Sequence, residues 1–393
     1  MTPSHARSGP YRRSPLPEPR PGRGLLSPST RRDTLAEFGG NSLNALRLVF
    51  AVAVIVSHAW SLGGYGPEPS LYGLTLGGAA VTGFFAISGY LITLSAQRTH
   101  SAVDFFASRF ARIYPPLIVA APLVGFAAAA IGALMNPGSF DLEGAAAFIV
   151  TALTLLLGIL PSPRVGTALQ GNSDPLQWDG PLWTLTWEAL CYVVIGFVVF
   201  VIGQKVRARF LPLVILSLLA IVTLVTLARA AAGLTASPHP ILMAPPLIGI
   251  FLAGSLLALV RHHVPTGPWT LTLAIGASWA AFASGLGPAL ASLPLAYIVL
   301  RAGSSSRLSR IGARYDISYG LYIYGWPVQQ VLALTHVPAN APPLAYAALA
   351  LVGTWPLAML SCVLVERPAL GARKAWSALR AARRTPASSL DQN

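Results

Sequence analysis

The sequence predicts an all-α polytopic membrane helix bundle of about ten transmembrane helices with both termini cytoplasmic. Three observations predict it. Only 10% of the 393 residues are charged and 54% are hydrophobic, whereas about a quarter of a soluble domain is charged. Apolar runs of about 20 residues, the length a helix needs to cross a bilayer, recur along the chain. The basic residues sit in short segments between those runs, as they do in cytoplasmic loops. That placement also decides how to read the net charge of +14. No basic patch interleaved with aromatics stands outside the loops, so nucleic acid is excluded as a partner and the lipid bilayer is the expected one.

The elements follow in order. Residues 1–38, rich in Pro, Arg and Ser, contain no apolar core of a secretory signal and are expected to be a disordered basic tail. Apolar runs follow near 43–62, 77–97, 115–135, 145–161, 182–203, 211–232, 241–260, 268–285, 288–301, 313–335 and 342–365. Two basic ends on one side demand an even number of crossings, so one run must fail to span. Leaving out 145–161 puts Arg98, Arg109 and Arg112, then Lys205, Arg207 and Arg209, then Arg301 through Arg314 all inside. That run is also short and ends on two prolines. It reads as an interfacial or re-entrant segment of an outer region, 136–181, that holds Asp141, Glu143, Asp174 and Asp179 against Arg164. Residues 39–368 form the membrane domain. The basic stretch 369–393 is expected to stay cytoplasmic, with a short helix on the membrane surface. Cys191 and Cys362 both fall inside apolar runs and read as small buried hydrophobes. No metal-ligand spacing is present, so no metal is expected.

Ionisable residues inside spans are costly and point to function. The first run, NSLNALRLVFAVAVIVSHAW, carries Arg47 and His58. Eleven residues at about 100° each bring the two side chains to one helix face, about 16 Å apart along the axis. A cation thus lies toward the cytoplasm and a titratable imidazole toward the outside. Taken alone, the pair also fits a snorkelling Arg and a His bonded between helices. Glu188, in GPLWTLTWEALCYVV, is expected at a similar depth to His58 and so as the carboxylate that orients it for general-base work. Tyr192, four residues on, shares the Glu188 face. Arg109 and Arg112, three apart in SRFARIYPP, suit phosphate recognition or act as topology signals. Ser88 and Gly89, in VTGFFAISGYLIT, suit either a site or close helix packing.

Taken as an ordered set, these pieces resemble the membrane-bound acyltransferase type 3 family, which includes O-antigen, exopolysaccharide and Nod-factor acetylases and macrolide acyltransferases. The matching elements are LNALRLVFAVAVIVSHAW with its Arg-x10-His spacing, GAAVTGFFAISGYLIT, RFARIYP, LWTLTWEALCY (Trp183, Glu188, Tyr192), ISYGLYIYGWPV (Ser318, Tyr319, Tyr322, Pro327) and the closing VERP (Glu366, Pro368). The resemblance implies a ten-helix bundle that takes an acyl group, acetyl by default, from cytoplasmic acyl-CoA and passes it to an acceptor hydroxyl outside. It implies His58 as the catalytic residue and Arg47, Arg109 and Arg112 as holders of the CoA donor. Ser88, Trp183, Tyr192, Tyr319 and Tyr322 are candidates for substrate contact or support. Many members carry a His where this chain has Gly325, so any role of that second His is absent or filled differently.

The expected function is that of a multi-pass protein of the bacterial inner membrane, an O-acyltransferase acting on a surface polysaccharide or glycolipid. The rival is a transporter or flippase of a lipid-linked glycan, whose intramembrane charges would bind substrate without chemistry. Internal repeats would favour the rival, and no convincing repeat is present.

Overall fold

Helix α1 (Leu43–Leu62) opens the bundle at Ser42, whose hydroxyl donates to the Ser305 carbonyl at 2.6 Å. A tight hairpin, β1 (Ser70–Leu71) and β2 (Leu74–Thr75), then reverses the chain. Its two loop residues, Tyr72 and Gly73, have φ of 50° and 79°, the left-handed pair that matches strand twist in a two-residue turn. Thr75 caps α2 (Leu76–Arg98) by accepting from the Gly78 amide. Because the hairpin is so short, residues 63–69 are folded back over the end of α1, which matters for the site.

Helix α3 (Ala102–Pro122) runs on through a π-helical stretch, Leu123–Ala128, to Met135; Pro122 lacks the amide that a regular ladder needs. Asp141 caps α4 (Leu142–Leu153). Twelve residues make about 18 Å of helix, too short for a hydrocarbon core of about 30 Å. The chain then turns at Leu155, φ 56°, and reaches α5 (Trp183–Phe197) through an irregular segment. There follow α6 (Leu211–Ala231), α7 (Pro240–Leu259), α8 (Pro268–Ala283), α9 (Ser292–Gly303), α10 (Ser318–Leu334) and α11 (Pro343–Ser361). A π-helical stretch, Cys362–Glu366, joins α11 to α12 (Arg367–Arg384).

This computed structural model describes Leu35 and residues 42–99, 101–136, 140–234 and 239–384. Most of the expected basic tail at 1–38 and the last residues of 369–393 lie outside the described residues. The described residues belong to one unit, 33–393. It is mostly helical, with little sheet. Among the described residues seven helices are long and apolar enough to cross a membrane. Each run expected to span coincides with a helix, but α8, α9 and α10 have only 16, 12 and 17 residues. The run at 145–161 yields only α4.

Of the seven long apolar helices, the most enclosed are α2 and α7, and they pack on each other. Lipid is as apolar as the helices, so close backbone approach must supply the attraction. A Cβ on Gly89 would overlap the Phe251 carbonyl oxygen, and one on Gly254 would overlap that of Ala86. Gly89 is therefore a packing residue. The Ser255 hydroxyl donates to the Gly89 and Phe251 carbonyls at 3.2 and 3.0 Å, which seals the contact.

Candidate active site

Among the described residues, two of the cavities lie at opposite ends of α1. The larger, about 750 Å³, is lined by His58, Glu68, Asp179, Trp183 and Trp326. The smaller, about 250 Å³, holds Arg47, Arg109, Arg112 and Glu188 on its walls. Val81, Thr184 and Tyr322 line both, so they form the wall between them. Thr184 and Tyr322 share a hydrogen bond of 2.7 Å within that wall.

In the larger cavity His58 Nδ1 lies 2.6 Å from Glu68 Oε1. The other carboxylate oxygen accepts from the Ser57 hydroxyl at 2.7 Å, and Ser57 in turn accepts from the Gly77 amide. Burial alone would push the Glu68 carboxyl up. The hydrogen bond and charge of His58, with the Ser57 and Thr75 hydroxyls, outweigh burial and hold it below the ordinary carboxylate value. Glu68 therefore stays ionised and fixes Nδ1–H as the donor to it. The Trp326 ring meets the imidazole edge-on, with centroids 4.9 Å apart, and is itself held by a hydrogen bond from Nε1 to the Gln177 carbonyl.

Glu188 does not orient His58, contrary to the sequence expectation. It lies on the wall of the other cavity, where Oε1 accepts from Ser88 at 2.8 Å and from Tyr192 at 2.6 Å. The reason is depth. Glu188 is eight residues into the helical segment that starts at Gly180, about 12 Å, whereas His58 is four residues from the end of α1, about 6 Å. Equal depth did not hold, and a residue of the hairpin loop reached the imidazole first. Tyr192 does share the Glu188 face, and Ser88 serves the same carboxylate.

In the smaller cavity Arg47 and Arg112 converge on one oxygen of Asp316, at 2.6 and 2.9 Å. Arg112 also faces Glu366 at 3.7 Å. Burial would raise the Asp316 carboxyl, but Arg47 and Arg112, helped by Ser318, hold it well below the usual carboxylate range. Arg109 stands apart from this network. It donates to Ser108 and Ser95 at 3.1 and 3.4 Å and lies over the Phe105 and Tyr192 rings. Tyr319 lines the same cavity and donates to the Ile113 carbonyl at 3.0 Å.

The structure thus brings Arg47, Arg109, Arg112, Ser88, Glu188, Tyr192 and Tyr319 to one cavity, His58 and Trp183 to the other, and Tyr322 to the wall between. Sequence reasoning missed Glu68, Asp316, Asp179 and Trp326. Asp316 carried a signal, a lone acid in the basic segment 301–314 and its continuation. Among the described residues no group of three or more His, Cys, Asp or Glu gathers as a metal site.

A family model described as an acyltransferase domain matches residues 41–363. The chain belongs to the acyltransferase type 3 family. This acyltransferase is similar to the O-acetyl transferase of Shigella phage Sf6, 32% identical over 302 residues that cover 75% of the chain and 86% of the relative. It is also similar to Nodulation protein 10 of Rhizobium leguminosarum bv. viciae, 30% identical over 369 residues, with coverage of 86% and 96%. The acyltransferase MdmB of Streptomyces mycarofaciens is 30% identical over 156 residues, 39% of this chain and 37% of that protein. No solved structure matches. The enzyme is therefore a multi-pass membrane acyltransferase that transfers groups other than aminoacyl groups. Where many members have a His, this acyltransferase has Gly325, whose added Cβ would meet Ile55 at 2.7 Å. A larger residue there would require Ile55 to shift, and the neighbouring Trp326 contacts His58.

Proposed function

We propose that the enzyme moves an acyl group, acetyl by its similarity to a named O-acetyl transferase, from cytoplasmic acyl-CoA to a hydroxyl of a surface polysaccharide or glycolipid. The setting is the bacterial inner membrane, crossed ten times with both ends cytoplasmic, so that the cationic cavity opens inward and the His58 cavity outward. The observation that carries the reading is the His58–Glu68 dyad in one cavity, set back to back with a cationic cavity across a wall of three residues.

The residues fit an acyl-CoA donor. Cations suit its phosphates, and Val81, Phe84, Leu91 and Ile92 give the same cavity an apolar wall for its acyl arm. Glu68 holds Nδ1 of His58, which leaves Nε2 to remove the acceptor hydroxyl proton. The acceptor oxygen then bonds to the thioester carbonyl carbon, the carbon–sulfur bond breaks, and the departing sulfur takes the proton back from His58 to leave free CoA thiol. Reaction requires donor and acceptor to meet at the wall of Val81, Thr184 and Tyr322. Arg47 and Arg112, tied to Asp316, brace that junction from the donor side. His58→Ala, expressed at the normal membrane level, should abolish acylation of the surface glycan, read by mass spectrometry. Retained acylation refutes the reading.

A further inference from the structure

Of the five cations on the wall of the smaller cavity, two are already neutralised. Arg47 and Arg112 share Asp316, and Arg112 also faces Glu366. The remaining three are Arg109, Arg373 and Lys374. None of them makes an ion pair among the described residues, and the cavity's carboxylate, Glu188, is already engaged by Ser88 and Tyr192. Arg373 and Lys374 belong to α12, which follows the stretch matched by the family model. Leu370, Arg373 and Lys374 are spaced i, i+3, i+4, so they form one helix face, and that face lines the cavity.

The helix is pinned in place by other residues. Arg380 pairs with Asp104 at 3.8 Å, and Arg367 lies 4.9 Å over the Tyr315 ring. Arg373 gives one nitrogen to the Asp104 carbonyl at 3.3 Å, while its Nε is buried without a hydrogen-bond partner. A buried guanidinium nitrogen left unpaired is costly, and three like charges around one cavity repel each other. A ligand bearing several negative charges removes both costs.

We propose that α12 carries the phosphate clamp of the donor site, with Arg373 and Lys374 joining Arg109 to hold the phosphates of CoA. This rests on the acyl-CoA reading above and adds residues to it. Arg47 and Arg112 then have a different task, bracing the cavity wall through Asp316. The same phosphate chemistry is offered by an anionic lipid headgroup. The position of the cations, on a cavity wall that continues into an apolar slot rather than on an outward face, favours the nucleotide donor.

The test uses the full chain in discs of zwitterionic phosphatidylcholine and measures equilibrium binding of CoA and of pantetheine, which has the thiol arm but no phosphate. Arg373→Ala with Lys374→Ala should weaken CoA binding roughly tenfold or more, the size of one to two lost charge-assisted hydrogen bonds, and leave pantetheine unchanged. The charge-conserving exchange, Arg373→Lys with Lys374→Arg, should keep most of the CoA affinity, which separates lost charge from lost fold. An unchanged CoA affinity in the alanine variant overturns the clamp, as does equal weakening for pantetheine. A difference that emerges only in discs containing anionic lipid assigns the cations to headgroups and also overturns it. If the wild-type chain binds neither CoA nor pantetheine, the acyl-CoA reading itself fails.

Discussion

Glu68→Gln tests whether the short hairpin loop is part of the chemistry. The substitution keeps the shape and removes the charge that faces His58 at 2.6 Å. A hydrogen bond to a charged group contributes about 1.5–3 kcal/mol net. At about 1.36 kcal/mol per decade, its loss from the transition state, where His58 carries the acceptor's proton, lowers kcat by roughly 12- to 160-fold. On the proposed mechanism Glu68 acts through His58 as a positioning residue, so KM for the acyl donor should not move. The pH profile supplies a second readout. The folded carboxyl lies below its ordinary value, so its stabilising contribution is complete above the unfolded carboxylate pKa of about 4.3 and is lost only as pH falls further, through the depressed folded value. The wild type should therefore hold its dyad through mildly acid conditions, while the variant lacks that contribution at every pH. The assay is transfer of radiolabelled acetyl from acetyl-CoA in membrane vesicles carrying the native acceptor. A variant with kcat within twofold of wild type, at equal expression, refutes the dyad.

Three further predictions follow from the same geometry; two use the buried thiols of Cys191 and Cys362, which a thiol-reactive dye meets only on unfolding. Asp316→Asn leaves Arg47 and Arg112 facing each other and should cost about 3 kcal/mol, at the lower end of the range for a broken buried pair because each side chain keeps about a fifth of its surface exposed; a melting temperature within a degree of wild type refutes this. Gly89→Ala should cost about 1–3 kcal/mol by overpacking α2 against α7, again read by the dye, and no loss would refute the close contact. Asp179 is 2% exposed with neither carboxyl oxygen bonded, and burial pushes its carboxyl well up. The unfolded chain ionises it at about pH 3.9 while the folded chain keeps it protonated. The native acid thus costs stability increasingly as pH rises above that value, and Asp179→Asn should be more stable than wild type near neutrality but not below pH ~4. Equal stability of the two across that range refutes a protonated Asp179.

The seven long apolar helices were legible because a bilayer imposes a length and a composition on a crossing helix. The pairing of Arg47 and His58 on one face was legible because 3.6-residue periodicity is a local property of α1. Neither rule reports how a loop folds back. Glu68 stands ten residues after His58, outside any helix, and reaches it only because the Tyr72–Gly73 turn closes a hairpin over the end of α1. Asp316 likewise joins Arg47 and Arg112 across more than two hundred residues of sequence, a separation at which spacing arguments have no force. The expectation for Glu188 failed for a related reason. Glu188 lies about a turn deeper than His58, and at that depth its carboxylate meets Ser88 on α2.

The wall between the cavities gives these residues a common purpose. A transferase whose donor and acceptor arrive from opposite sides must let an acyl group through while keeping the bilayer closed to water and ions. An open channel would fail the second requirement, and a solid wall the first. On the proposed reading, the side chains of Thr184 and Tyr322, which line both cavities, stand where both requirements meet. Their mutual hydrogen bond, with the contacts of both hydroxyls to the Pro181 carbonyl at 3.0 and 3.3 Å, satisfies two polar groups in an apolar core. The Tyr322 ring packs edge-on against Phe84, with centroids 5.8 Å apart. Thr184 sits one turn before Glu188 on α5, and Tyr322 one turn beyond Ser318, which donates to Asp316 at 2.6 Å. Thr184 thus shares α5 with Glu188, and Tyr322 shares α10 with Ser318, which is tied to the Asp316 of the cation network. On the proposed reading, a donor in the smaller cavity would lie directly against Thr184 and Tyr322, the hydrogen-bonded pair that separates it from the His58 side.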